Sequence, residues 1–583
     1  MWELFKRSPQ AVLTIIASLI NLLVRAQISY DAPDWDSLYR PNAPWVKYYS
    51  EYSFSHTDTL HGTYTKYRRF WDVIRYELTV RLHIEEESIE GTSRIIFEVV
   101  ENSTDSLQID LHHNFQVESL KLDGRIYSSW DRVDNFIWVR PPEKWTISDH
   151  HSIEIKYHGK PVKAPRPPWD GGFVWSKDRK GRPWIGVACE GDGAMLWWAC
   201  KDQLVDEPDS GILFRIEIPN QEGLMAVANG NLVDSGIIDA KWKYFTWQTQ
   251  APINIYNVTL YVGHLIHWED EYLSQHPNTR GKKLRLDYYI LDYDVEASKA
   301  HFPSQVKASL ETFESYWGPF PFWEDGLALV HAPYWGMEHQ TAVAYGHNFS
   351  TNPYGFDYII LHELAHEYWG NSVSAFDFGD VWIHEGLATY TEVLHVERTK
   401  GRDKAQEYIQ RKQRRILNKY PVMMPRGVYK WLPRNDMYPK GAWIMHTLRH
   451  WLAPNDHRKW VEMMRRFYAH FSHSIVTTEE VIDYWTQYDS ALIPFWKQYL
   501  MHPTPPIFQY HQNDTTLCFR WKTDVKDFQM PFEWQNEKTD RWHRIYPTHR
   551  WQTIAMKNTV NQLEFNTDQF YVKVERVDRC GEE

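Results

Sequence analysis

What most limits the fold open to this 583-residue chain is a double change in its apolar rhythm. From Trp71 the apolar positions alternate with polar ones. One run carries Tyr76, Leu78, Val80, Leu82 and Ile84, and the next carries Ile95, Phe97 and Val99. A period of two belongs to strands with one buried face. Similar runs recur at 107–111, 153–157, 213–218 and 258–262, so residues 27–270 read as a β-rich domain. The rhythm then becomes helical. Helices are expected over 294–317, 358–369, 386–400, 404–417, 440–452, 458–471 and 478–488, with Thr477 and Glu480 at capping-box spacing before the last. Pro503, Pro505 and Pro506 break this pattern, and alternation returns around Leu517, Phe519 and Trp521. The expectation is an α+β multidomain chain with a mainly α domain over 271–503 and a small β-sandwich over 504–583.

The first residues read as an address rather than a fold element. Lys6 and Arg7 precede an apolar run from Ala11 to Val24, and Val24-Arg25-Ala26 resembles a small-residue cleavage site. Residues 1–26 are therefore expected to be a signal peptide, with Gln27 as the mature start and export to a periplasm or the outside. A run of about 14 residues is short for a membrane span, and no later segment is apolar enough to be one. A net charge of −12 argues against a nucleic-acid partner. The four cysteines fall in two groups, Cys189 with Cys200 and Cys518 with Cys580. Either group can be a disulfide in an oxidising compartment. No Cys-x-x-Cys is present, so a thiolate zinc site is not expected.

Inside the helical region lies His362-Glu363-Leu-Ala-His366. Residues four apart share one helix face, so both imidazoles can reach one metal, and the Glu363 carboxylate can approach water beside it. With 28 histidines, the pattern arises by composition in roughly one such chain in ten, the alternative being a helix with two hydrogen-bonded histidines. Glu385 shifts the balance. It lies in Trp382-Ile-His-Glu-Gly-Leu-Ala-Thr-Tyr390, where a returning helix can bring a carboxylate back to the same metal. Two nitrogens and one oxygen leave a tetrahedral position open for water, the mark of a catalytic zinc ion, one per chain. Such an ion activates water and polarises a carbonyl, with Glu363 as general base.

These two segments, His362 to Asn371 and Trp382 to Tyr390, resemble the zinc aminopeptidases of the aminopeptidase N and leukotriene hydrolase family, the gluzincins. Trp71 to Tyr76, Gly318 to Phe322 and Tyr438-Pro-Lys-Gly-Ala442 resemble other segments of that family, so the likeness covers most of 70–505. It implies a β saddle, a thermolysin-like catalytic domain and a β-sandwich. It also implies a reaction: hydrolysis that removes N-terminal residues from peptides, with a part in peptide catabolism. Tyr438 matches the tyrosine that stabilises the oxyanion. Gly336, Met337 and Glu338 match the exopeptidase motif, in which the glutamate holds the substrate's α-ammonium. Here Trp335 and His339 stand where the family usually has Gly and Asn. Glu190, in Cys189-Glu-Gly-Asp-Gly193, falls on a second ammonium-binding position. Many members add a large helical roof; this chain is expected to have a more open site, or one closed by a partner subunit as a homo-oligomer. An endopeptidase, an added epoxide hydrolase activity and a non-catalytic binding protein are the other readings.

Overall fold

A computed structural model describes residues 45–430, 432–536, 541–556 and 563–581. The expected signal peptide lies outside them. The first large element is an eight-stranded sheet built around the hairpin of Trp71–His83 and Ser88–Val99. Its strands bury alternate residues, as the period-two pattern requires. A four-stranded sheet containing Gly172–Lys177 and Pro183–Ala188 faces it. Between the two sheets sits Trp197, edge-on to Phe173 of one and 5.7 Å from Phe214 of the other. Beside it, Trp198 packs against Tyr76 at 4.9 Å. The scattered tryptophans thus fill cores: Trp71, Trp197, Trp198, Trp247, Trp369 and Trp382 are all fully buried.

A five-stranded sheet follows, in the order 265–273, 283–291, 327–331, 342–345 and 336–337. The helix Val295–Tyr316 precedes its third strand. Its edge strand, Gly336–Met337, pairs antiparallel with Ala344 and Tyr345 through a turn in which Thr341 takes a positive φ of 58°. The helix Tyr358–Ala365 packs on this sheet, and Trp382–Lys400 packs in turn on it and on Arg402–Gln413 and Pro439–Leu452. The first ends four residues earlier than its apolar pattern suggests. After Ala365 the four-residue ladder gives way to mixed steps, three residues for Glu367 N–H to Leu364 O and Tyr368 N–H to Ala365 O and five for Asn371 N–H to His366 O, so His366 is the C-cap. Thr477 and Glu480 do form a reciprocal capping box. The helix Leu492–Met501 was not legible, because its residues are apolar on nearly every side.

The chain closes with a four-stranded and a three-stranded sheet. Phe508 on the first meets Phe532 and Phe565 on the second at 4.8 and 5.2 Å, which is sandwich packing. A disulfide joins Cys518 to Cys580, whereas Cys189 and Cys200 are free and buried. The architecture is thus a multi-sheet β region, a helical region and a terminal β-rich part, as expected. Among the described residues no helix is long and apolar enough to cross a membrane.

Candidate metal centre and active site

His362 and His366 project from the end of the helix Tyr358–Ala365, and Glu385 from the first turn of Trp382–Lys400. Asp357 caps the first helix, accepting from the backbone N–H of Ile359 and Ile360. The second helix is brought close to Pro439–Leu452 by two glycines. A methyl group on Gly441 would lie 2.7 Å from Gly386 Cα. That contact seats Tyr438, at the head of its helix with Pro439 following, beside the histidines. Its ring lies 6.1 Å from that of His362.

The three donors converge. His362 Nε2 is 3.4 Å from His366 Nε2 and 3.3 Å from Glu385 Oε2, and His366 Nε2 is 3.4 Å from Glu385 Oε2. Ligands at about 2.0–2.1 Å around a tetrahedral zinc ion stand about 3.3–3.4 Å apart. The protonation of the rings agrees. His362 Nδ1 lies 3.0 Å from Glu392 Oε1, and His366 Nδ1 lies 2.8 Å from the Trp369 carbonyl. Both partners accept, so each Nδ1 carries its hydrogen and each Nε2 turns a lone pair inward. All three ligand side chains are buried, and Glu385 Oε2 has no hydrogen-bond donor. Lone pairs gathered in this way repel one another unless a cation sits among them. Burial alone would lower the His362 pKa, yet Glu385 and Glu392 push it up to about 10. The pocket's own field thus calls for positive charge, and the donor set fits zinc.

Other expected residues line the same cavity of about 240 Å³: Glu190, Gly336, Met337, Glu338, Glu363 and Tyr438. Burial pushes the Glu363 carboxyl up to about 8, against the pull of the two histidines. Gly336 lies so close that an added Cβ would stand 2.6 Å from Glu363 Oε1. Only a glycine lets the edge strand approach there. Burial, then Glu385, drives the Tyr438 phenol far above the ordinary tyrosine range, so it remains a hydrogen-bond donor. Glu338 accepts from Tyr256 OH at 3.1 Å, and Asn371 Nδ2 donates to the Glu338 carbonyl at 2.9 Å. Glu367 Oε1 accepts the Thr341 N–H at 2.7 Å. Asn371 and Glu367 therefore fasten the edge hairpin to the histidine helix. His339 is buried, with Nδ1 2.6 Å from Tyr261 OH, whereas Trp335 is 57% exposed at the mouth, 6.4 Å from Trp169.

Two features escaped the sequence reading. Glu190 is already engaged: Arg434 holds it through Nη1 at 3.3 Å and Nη2 at 2.9 Å. Burial still pushes the Glu190 carboxyl up to about 7 despite that guanidinium. Arg434 lies far from Glu190 in sequence and no local pattern announces it. Glu392 had a signal, since it stands two helical turns beyond Glu385 on one face. It accepts from His362, from Tyr408 OH and from Lys412 Nζ at 2.6 Å.

Comparison with known proteins agrees with this picture. The Peptidase M1 N-terminal domain matches residues 73–256 and the Peptidase family M1 domain matches residues 335–499, together more than half of the chain. Glutamyl aminopeptidase of Sus scrofa is 20% identical over 430 residues, covering 62% of this chain and 44% of that protein. Aminopeptidase M1 of Arabidopsis thaliana is 25% identical over 201 residues, covering 32% of this chain and 22% of its own. The chain thus spans less than half the length of these curated relatives. A crystal structure of an M1 zinc metallopeptidase from Deinococcus radiodurans superposes with a TM-score of 0.62 at 19% identity, covering 75% of this chain and 96% of that one.

Proposed function

The chain belongs to peptidase family M1, and from that premise we propose that it is a zinc aminopeptidase that removes N-terminal residues from peptides. The observation that carries the reading is the ligand triangle of His362, His366 and Glu385, with its 3.3–3.4 Å edges, in one cavity with Glu338, Glu363 and Tyr438. Zinc, when bound, supplies Lewis acidity to water and to the scissile carbonyl. The protein groups do the rest. Glu363 accepts a proton from the attacking water and delivers it to the leaving amine. Tyr438 donates to the oxygen that gains charge. Glu338 binds the α-ammonium, so cleavage is counted from the N-terminus. Glu190 shares its charge between Arg434 and that ammonium. Glu392 and the Trp369 carbonyl fix the imidazole tautomers.

Export is part of the proposal. The Cys518–Cys580 disulfide supports it, because cytosolic thiols are normally kept reduced. The domain limits 27–270, 271–503 and 504–583 belong to the same reading.

The test is a panel of free and N-acetylated aminoacyl arylamides, with chelator and then with added zinc. Zinc-restored cleavage of the free-amine substrates alone is expected. Cleavage of acetylated peptides would make the enzyme an endopeptidase, and no cleavage of either arylamide with zinc bound would leave an endopeptidase that needs longer peptides or a binding protein.

A further inference from the structure

A second cavity, of about 400 Å³, opens beside the zinc cavity. The two share Trp335, Tyr358 and Ile359. Neither Glu190 nor Glu338, the carboxylates that face an N-terminus, lines the second one. Tyr358 stands one turn before His362 and stacks on it at 5.3 Å, so the passage leaves the metal centre on the histidine helix's own side.

The walls of this cavity have a distinct chemistry. Its lining combines the aromatic rings of Trp335, Tyr354, Tyr358 and Tyr408 with the cations Arg411, Lys412 and Arg415. Lys412 is spent: its ammonium is bound to Glu392 and lies 5.0 Å over the Tyr358 ring. Arg411 and Arg415 are exposed, and neither forms an ion pair among the described residues. The nearest helical carboxylate, Glu407, is taken by Lys404 at 2.6 Å. A basic run at a helix C-terminus is often only a solvated, dipole-matched end. That accounts for the charges. It does not account for two guanidinium groups with no carboxylate partner, one of them hydrogen-bonded to the Tyr354 hydroxyl, in an aromatic-lined cavity that shares Trp335, Tyr358 and Ile359 with the catalytic one, in a chain of net charge −12.

We propose, resting on the aminopeptidase reading, that this cavity receives the residues after the scissile bond and that Arg411 and Arg415 select a carboxylate there. The carboxylate is an acidic side chain or the free C-terminus of a short peptide. Guanidinium groups suit both, because they bind carboxylates through two parallel hydrogen bonds.

The experiment uses the full zinc-loaded chain. Peptides with a fixed N-terminal residue carry Glu, Gln or Lys at the second or third position, each as free acid and as C-terminal amide. At one position kcat/KM is expected to be about threefold to tenfold higher for Glu than for Gln, and higher than for Lys. A matching advantage of tripeptide acid over tripeptide amide would identify the C-terminus as the source. Added salt shrinks the ratio. In the double variant Arg411→Glu/Arg415→Glu the Glu-to-Lys order reverses, a ratio that a general loss of activity does not mimic. Equal rates for Glu, Gln and Lys, with equal rates for acid and amide, overturn the inference, as does a preference that survives charge reversal. Aminoacyl arylamides, which lack these residues, separate the two levels. Arylamide cleavage without carboxylate preference refutes only the subsite, whereas no arylamide or peptide cleavage refutes the aminopeptidase reading itself.

Discussion

Replacing Glu392 with Gln tests whether the metal site depends on a residue that never touches the metal. Glu392 Oε1 lies 3.0 Å from His362 Nδ1 and holds that ring's orientation. Burial raises its pKa, but Lys412 and His362 outweigh that and bring it down to about 2, so it is ionised at any working pH. A glutamine can still accept from Nδ1 through its amide oxygen. The substitution therefore removes charge and leaves the hydrogen bond. Losing an anionic partner of this kind weakens metal affinity by roughly 10- to 100-fold, or about 1.4–2.7 kcal/mol.

The assay is competition for zinc with a chromophoric chelator at pH 7. One complication is built into the structure: Lys412 Nζ also rests on Glu392, at 2.6 Å, and would be left buried without its anion. That costs stability whether or not zinc is bound. The double variant Glu392→Gln/Lys412→Met separates the two effects. It is expected to recover unfolding stability in chelator while its zinc affinity stays low. A single variant that binds zinc within about twofold of wild type would refute the argument, because outer-shell charge would then contribute almost nothing.

Three further outcomes are expected. Glu363→Gln retains zinc, measured by metal analysis, and loses about 10²–10⁴ in kcat, since only the proton carrier is removed; turnover at the wild-type rate would sink the role. Arg434→Met leaves Glu190 buried without its guanidinium and lowers unfolding stability in urea by about 3–5 kcal/mol, with partial recovery in Arg434→Lys. Lys440 is buried and donates to the carbonyls of His502 and Pro503, and burial brings its pKa down to about 7. Between about 7 and the ordinary lysine value near 10.4 the unfolded chain binds the extra proton, so this group adds stability as pH rises. The Tm advantage of wild type over Lys440→Met should therefore grow from pH 6 to pH 9, and a constant difference would show that Lys440 stays charged.

The parts of the site legible in the sequence were those fixed by local geometry. His362 and His366 are four residues apart on one helix, and that spacing alone sets their common face. Glu385 was readable because a second helical run begins around it. The layers of the fold were legible for the same reason, since the period of apolar residues decides strand or helix before any tertiary contact forms. The early end of the first helix was not, because the apolar residues Tyr368 and Trp369 keep the helical rhythm while the backbone turns away, the His366 carbonyl accepting from Asn371 N–H five residues on. Nor was the fate of Glu190, for its partner Arg434 lies 244 residues away.

What the sequence concealed is mostly a matter of charge already spent. Spacing identifies a carboxylate or a cation, but only the fold says whether its charge is free. Glu392 illustrates this twice over. By taking His362 Nδ1–H it turns Nε2 toward the metal, and by taking the Lys412 ammonium it removes one of three positive charges from the neighbouring cavity. The same carboxylate thus helps define the metal ligand and leaves Arg411 and Arg415 as the cations still able to meet a substrate there. It follows that substitutions at Glu392 should alter zinc affinity and carboxylate preference together, whereas substitutions at Arg415 should alter only the second. A Glu392→Gln enzyme given saturating zinc leaves the Lys412 ammonium, which already lines the cavity, without its anion, and its preference for a carboxylate after the scissile bond should rise above that of wild type.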